Sequence, residues 1–231
     1  MPTQDQPVDF ATQRQTMVDC QIRTFDVTDQ NVVTSFLDVP RENFVPGALK
    51  NLAYSDAALD LRTAEGEIRH MLAPMVLARM VQGAGVQSGD RILDVAGGAG
   101  YSAAILAGLA REVVALESIP SLASMAARNF AELGLKAISV CAPLDASEGV
   151  SGLFDVILLN GTVEAGLEPL LAKLAPGGRL IAIEKVSADR SGKAGRVTRF
   201  EKFGKDASRR VLFETSAPIL APFSRHDSFV F

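Results

Sequence analysis

Cysteine and histidine are scarce in this chain, two of each among 231 residues. Cys20 and Cys141 stand far apart and in no C-x-x-C spacing, which argues against a disulfide framework and against a zinc site. His70 and His226 are too isolated to build a metal cluster, so no metal is expected. Long apolar runs are missing as well: no stretch approaches the roughly 20 residues needed to cross a bilayer. The opening, MPTQDQPVDF, is polar and acidic and lacks the basic-then-apolar order of a signal peptide. The cytoplasm is therefore the expected compartment, with no membrane partner. A net charge of −4 gives no general attraction for nucleic acid. No stripe of aromatic and basic residues suits a single strand either.

What is present is an ordinary globular composition, 48% apolar and 22% charged. The length suffices for one α/β domain with a good core. The simplest organisation is a single domain over residues 1–231, with residues 1–88 as an N-terminal helical cap and loop and residues 89–231 as the core. Residues 12–24 carry apolar side chains at Met17, Cys20 and Ile22, which predicts a short amphipathic helix. Thr28 or Asp29 caps a second helix that must end before Pro40. A third short helix is expected after Pro46, through ALKNLAY. Residues 55–70 are polar and irregular and read as a long loop. Pro74 opens another helix, closed by Gly83 or Gly85.

From Arg91 the pattern becomes strand, helix, strand. Strands are predicted at 91–95, 112–117, 137–141, 154–159 and 179–184, with helices near 101–110, 121–133 and 164–174. Apolar strands alternating with helices mean a parallel sheet covered on both faces. Pro176-Gly177-Gly178 is a turn feeding the fifth strand. RVTRFEKFG and RRVLFETS then read as an antiparallel pair at the sheet edge. Nine basic and three acidic residues fall between Lys185 and Arg210. Their expected role is to deter edge-to-edge aggregation rather than to hold an acidic partner.

The segment ILDVAGGAGY, residues 92–101, carries the chemistry. Gly97, Gly98 and Gly100 lie between the first strong strand and its helix, where an open parallel sheet binds ligands. Glu117, 17 residues beyond Gly100, ends the second strand and can accept both hydroxyls of a ribose. Asp94 stands just ahead of the glycines. A pyrophosphate over the turn would meet its charge, at a cost on the order of 1–4 kcal/mol. S-adenosylmethionine has no phosphate and brings an ammonium and a sulfonium. The turn therefore fits a cationic adenosyl ligand better than a dinucleotide.

Over roughly residues 17–185 the chain resembles the protein-L-isoaspartate O-methyltransferases. MVDCQIR resembles the family's opening helix, and VPRENFVPGALKNLAYSD its distinctive VPR, FVP, L, AY, D segment. SGDRILDVAGGAGYSAAILA resembles the cofactor turn, and FDVILLNG with LAPGGRLIAI the fourth and fifth strands. The resemblance implies a Rossmann-like, seven-stranded S-adenosylmethionine-dependent methyltransferase fold with an N-terminal helical addition. It implies S-adenosylmethionine as cofactor, bound by Asp94, Val95, Ala96, Gly97, Gly98, Gly100 and Tyr101. Glu117 would hold the ribose, with Ser118, Leu144 and Asn160 completing the site. It further implies methyl transfer to the free α-carboxylate of an isoaspartyl residue in a protein or peptide, which starts protein repair.

Two departures stand out. The family places Thr-Ile-Ser-x-Pro ahead of the helix that begins here at Pro74, and its serine takes part in substrate recognition or catalysis. Here Met71 and Leu72 occupy the isoleucine and serine positions. Leucine has no polar atom in its side chain to offer a carboxylate. Arg69 and His70 beside it are alternative candidates for a charge-assisted contact. After the third strand the family's Gly-Asp-Gly is replaced by Cys141-Ala142-Pro143-Leu144-Asp145, with Asp145 a candidate for the adenine-facing acid. A carboxylate nucleophile is already ionised near neutral pH, so the reaction needs no general base. Two other readings stay open: a family member that keeps the fold as a sensor or interaction protein, and a methyltransferase for a different carboxylate.

Overall fold

The computed structural model describes residues 9–146, 148–186, 194–204 and 206–225. His226 and several of the basic positions between Lys185 and Arg210 lie outside the described residues. The sheet expected from the alternating apolar runs is present: seven strands, five of them parallel. In chain order they are β3 (Arg91–Val95), β4 (Glu112–Glu117), β5 (Ala137–Cys141), β6 (Phe154–Val163), β7 (Leu174–Lys185), β8 (Ala194–Phe203) and β9 (Asp206–Ser216). Their spatial order is β5-β4-β3-β6-β7-β8-β9, with β8 and β9 joining antiparallel at the edge. β3 pairs with β4 on one side and β6 on the other, so strand order reverses there. The glycine turn leaves the sheet at that switch point.

Helices α3 (Pro74–Ala84), α4 (Tyr101–Ala107), α5 (Pro120–Glu132) and α6 (Glu168–Ala172) accompany the strands. α3 starts at Pro74 and stops at Gly85, as its sequence predicts. Its last carbonyls would be left bare. Arg179 of β7 covers them, donating from Nε to the Ala84 oxygen at 2.6 Å and from Nη2 to the Gly85 oxygen at 2.6 Å. The same Nη2 reaches Asp90 Oδ2 at 2.6 Å. Pro176-Gly177-Gly178 forms an excursion within β7: Phe154 pairs with Leu174 but Val156 with Arg179.

The N-terminal part departs from the expected run of helices. α1 (Phe10–Met17) begins earlier than predicted, because the Asp9 carboxylate accepts from the Thr12 amide at 3.0 Å. It then widens into a π turn over Val18–Ile22 and a 3-10 turn over Arg23–Phe25. The wider turn sets Met17 and Ile22, five residues apart, both into the core, and leaves Cys20 exposed. α2 (Gln30–Asp38) is capped by Asp29, whose Oδ1 accepts from the Asn31 amide at 2.9 Å. The expected helix after Pro46 is a 3-10 stretch, Gly47–Leu52, with no buried side chain.

Residues 55–70 are not an irregular loop. They hold most of a hairpin, β1 (Leu59–Arg62) and β2 (Ile68–Met71), antiparallel with Leu61 opposite Arg69. The region beyond β6 also differs. β6 runs to Val163, with β7 paired on one side and the 218–220 segment on the other, the Thr162 amide donating to the Pro218 oxygen at 2.9 Å. α6 is thereby confined to five residues, against the eleven positions of the expected 164–174.

Candidate functional site

Glycine is required in the turn for two separate reasons. Gly98 has φ +61° and Gly100 φ +94°, a left-handed backbone that side chains disfavour. At Gly100 a Cβ would also stand 2.7 Å from the Phe130 ring of α5. The turn is thus tight and packed on its helix.

The structure draws the two acids of the sequence reading apart in role. Asp94 is fully buried, beneath the turn rather than at its rim. Its Oδ2 accepts from Ser102 Oγ at 2.6 Å and its Oδ1 from Asn160 Nδ2 at 2.8 Å. Asn160 Nδ2 also reaches the Val95 oxygen at 3.0 Å, so this one side chain ties β6 to the end of β3. Burial pushes the Asp94 carboxyl up to about 7, against the lowering effect of Ser102 and Asn160 and with a smaller upward push from Glu117. The expectation of an acid at the mouth of the turn is corrected by this burial. Asp94 is a brace that holds the turn from below.

Glu117, at the end of β4, is the acid that meets the glycine backbone of the turn. It is 2% exposed. The Gly98 amide donates to its Oε2 at 3.1 Å, and the Ser118 and Ile119 amides to Oε1 at 2.8 and 3.1 Å. Its remaining partner was not foreseen. Arg69 of β2 donates from Nη2 to Oε1 at 2.6 Å and from Nε to Oε2 at 3.0 Å. Arg69 Nη2 also donates to Ser118 Oγ at 3.1 Å.

The other expected residues fall as follows. Val95 and Ala96 are buried, the Ala96 amide donating to the Leu116 oxygen at 2.9 Å. Gly97 lies against the Asp94 carboxylate and 2.7 Å (as a Cβ) from Ser102 Oγ. Tyr101 opens α4 and is wholly enclosed, its ring 4.6 Å from the guanidinium carbon of Arg41. Leu144 is buried in the same apolar cluster as Val95, Ala96 and Leu116. Asp145 is partly exposed. Of the two loop candidates, Arg69 is engaged by Glu117, and His70 Nδ1 lies 2.8 Å from Asp60 Oδ1. Leu72 is buried, and its carbonyl accepts from Arg41 Nη2 at 2.8 Å.

Sequence reasoning missed Ser102 and Arg41. Ser102 follows the turn as the second residue of α4, a position from which a hydroxyl can reach back to the strand end. Arg41 is the arginine of the VPR segment, and its full burial left no periodic signal.

The residue types suit an adenosyl ligand: a carboxylate at the end of the second strand, a glycine backbone beside it, and Ser118 next to both. The side chains of the hairpin fill the space directly above them.

Comparison with known proteins bears on what that ligand is. The sequence model of the protein-L-isoaspartate(D-aspartate) O-methyltransferase family matches residues 12–213. The chain belongs to that family. It is therefore an S-adenosylmethionine-dependent methyltransferase. A protein-L-isoaspartate O-methyltransferase of Methanoculleus marisnigri is 34% identical over 172 residues, 74% of this chain and 76% of that one. Protein-L-isoaspartate O-methyltransferase 1 of Rhodopseudomonas palustris is 34% identical over 210 residues, 90% of this chain and 82% of that one. Among solved structures, a protein-L-isoaspartate O-methyltransferase aligns with TM-score 0.77 and 24% identity, covering 90% of this chain and 65% of its own. The alignment thus spans less than two thirds of that longer protein. A candidate family member from Plasmodium falciparum, crystallised with S-adenosyl-L-homocysteine, aligns with TM-score 0.70 and 19% identity over 93% of this chain and 99% of its own. At these identities the solved structures speak to the fold alone. No helix among the described residues is long and apolar enough to cross a membrane.

Proposed function

We propose that this family member transfers a methyl group to a carboxylate of a damaged, isoaspartyl-containing protein, and that Glu117 and the Asp94–Tyr101 turn bind its cofactor. The observation that carries the reading is Glu117: a buried carboxylate at the switch point, held by three backbone amides and aimed along the glycine turn. Its two oxygens suit a ribose diol, Ser118 and the Gly98 backbone lie beside it, and Asn160 and Asp94 keep the turn in shape. Leu144 contributes apolar lining. When bound, S-adenosylmethionine supplies an electrophilic methyl group on a sulfonium. The chain's own task is positioning, since an acceptor carboxylate is already ionised near neutral pH. Residues 1–88 and 89–231 act as one domain in this reading. Supporting it, Met17, Val32 and Phe36 share a core cluster with Ile105 and Val113. Two exposed free cysteines accord with a reducing, cytoplasmic setting.

Radiolabelled methyl transfer tests the substrate class. A peptide containing isoaspartate should be labelled and the same sequence with ordinary aspartate should not; equal labelling of both, or labelling of neither with cofactor binding intact, would refute the isoaspartyl assignment. A second reading, a different carboxylate as acceptor, draws on one observation. Leu72, which the sequence resemblance sets at the position of the family's serine, has no side-chain donor, and its backbone carbonyl is already committed to Arg41. Labelling of other carboxylate peptides or small acids would favour it.

A further inference from the structure

The hairpin β1–β2 presents its side chains in an unusual sense. Ile68 is 38% exposed, whereas its neighbour Arg69 is 6% exposed. An apolar residue faces water and a guanidinium faces inward. Burying that cation is tolerable only with a well-placed partner, and Glu117 supplies one.

The pair has a consequence for Glu117. Oε1 accepts from Arg69 Nη2, Ser118 N and Ile119 N, and Oε2 from Arg69 Nε and Gly98 N. A carboxylate has about four lone-pair sites, so nothing remains for a sugar hydroxyl. The hairpin also covers the turn itself. A Cβ at Gly98 would lie 3.0 Å from Leu61 Cδ1 and 3.4 Å from Arg69 Cγ. Both surfaces that an adenosyl ligand needs, the acid and the glycine backbone, are taken.

The feet of the hairpin are fixed. Arg41, fully buried, donates from Nε to the Ala53 oxygen at 2.7 Å and from Nη2 to the Leu72 oxygen at 2.8 Å. One guanidinium thus ties the residue just after the hairpin, Leu72, to Ala53, six residues ahead of β1. At the far end, Ser121 Oγ donates to Glu65 Oε2 at 2.8 Å on the surface. The segment has a rigid base, a buried latch and a weak exposed catch.

Resting on the cofactor reading above, we propose that β1–β2 is an internal lid, with Arg69 standing on Glu117 in place of the ribose. The cofactor enters only after the Arg69–Glu117 pair parts, while Arg41 keeps the base in place. A site that is open for only a fraction of the time binds more weakly in proportion to that fraction.

S-adenosylhomocysteine binding tests this without reference to turnover. Arg69→Met keeps the apolar stem and removes the charge, and the three amides still hold Glu117. Calorimetry should show the variant binding at least about tenfold more tightly than wild type. In stopped flow with a fluorescent analogue, the wild-type rate should level off with ligand concentration as opening becomes limiting. The variant's rate should go on rising linearly. Equal or weaker binding by the variant, or a linear rise in both proteins, overturns the lid. If Arg69→Met does not fold, as judged by circular dichroism, Leu61→Ala and Glu65→Ala loosen the same lid and should shift affinity and rate in the same direction. Absence of binding in wild type and in every folded variant would overturn the cofactor reading, and the lid with it.

Discussion

The parallel sheet and the N-terminal segment that leans on it satisfy their backbones by different means. In β3, β4 and β6 the strand ladders pair the amides and carbonyls, and the side chains are free to be apolar: Ile92, Leu93, Val113, Leu116, Ile157 and Leu158 are all buried. Between α1 and α3, α2 and the β1–β2 hairpin are linked by short 3-10 and π turns, and in those links polar side chains take over. Arg14 donates to Tyr54 Oη at 3.0 Å and to the Leu37 oxygen at 3.2 Å. The Tyr54 hydroxyl donates to the Glu42 carboxylate, and burial together with Glu42 pushes its pKa upward. Gln82 of α3 reaches back to the Asp26 oxygen at 2.8 Å and accepts from the Thr28 amide at 2.7 Å. Both regions bury apolar side chains, Met17, Val32 and Phe36 among those of the second; the second adds side-chain hydrogen bonds where its backbone has no strand ladder.

The largest expected effect belongs to the sheet. Leu158→Ala, at the centre of β6 with no exposed surface, should cost about 3 kcal/mol in urea unfolding, from lost burial plus the cavity left behind. A cost below about 1 kcal/mol would mean that the sheet is loosely packed and the comparison false. The counterpart on the other side is Arg41→Met. It strips the Ala53 and Leu72 carbonyls of their buried donors, at about 1–3 kcal/mol each, while relieving the burial of a cation that forms no ion pair among the described residues. Burial already lowers the pKa of that guanidinium. A net loss of about 2 kcal/mol is expected. Hydrogen exchange should show residues 53–72 opening ahead of the sheet, and uniform exchange across both regions would erase the distinction.

Asp94 is the place where the sheet itself carries a buried titratable group, and its pH dependence sharpens the contrast. Its pKa is raised from an ordinary 3.8 to about 7 by burial. Between those values the folded chain holds a proton that the unfolded chain has released. The group's contribution is therefore fully present below about pH 4 and is lost as pH rises through about 7, at most about 1.4 kcal/mol per pH unit. Asp94→Asn should remove that slope, so the stability difference between wild type and variant should change steadily over this window and be flat above it. Parallel pH profiles for the two proteins would show that Asp94 is ionised in the fold throughout.

These contrasts also mark what could be read from the residues. The five parallel strands were legible because each is a short apolar run bounded by a turn, and the switch-point turn because three glycines and a later Glu117 keep their spacing whatever packs around them. The hairpin was not, since Ile68 outward and Arg69 inward invert the pattern that betrays a half-buried strand. Cys20 was misplaced for a related reason: a π turn shifts the face that a 3.6-residue period assigns. Asp94 was singled out from its place ahead of the glycines, but its burial was not legible. Whether a carboxylate is solvated or braced by Ser102 and Asn160 depends on residues 8 and 66 positions away.

The smallest effect should come from the edge of the sheet, where neither rule applies. Arg196 Nε of β8 lies 3.3 Å from Glu214 Oε1 of β9, with side chains 46% and 76% exposed. The strands beneath are already paired by their own ladder, Arg196 opposite Glu214, so the ion pair is not needed to fix the register. Water screens the attraction, and ordering two long side chains offsets most of what is left. Arg196→Ala should change unfolding stability by no more than about 0.5 kcal/mol, and should lose even that in high salt. What the substitution should affect instead is association: with a charge gone from the edge hairpin, light scattering on concentrated protein should rise. A loss of stability comparable to that of Arg41→Met would show that the edge, too, depends on its side chains rather than its ladder.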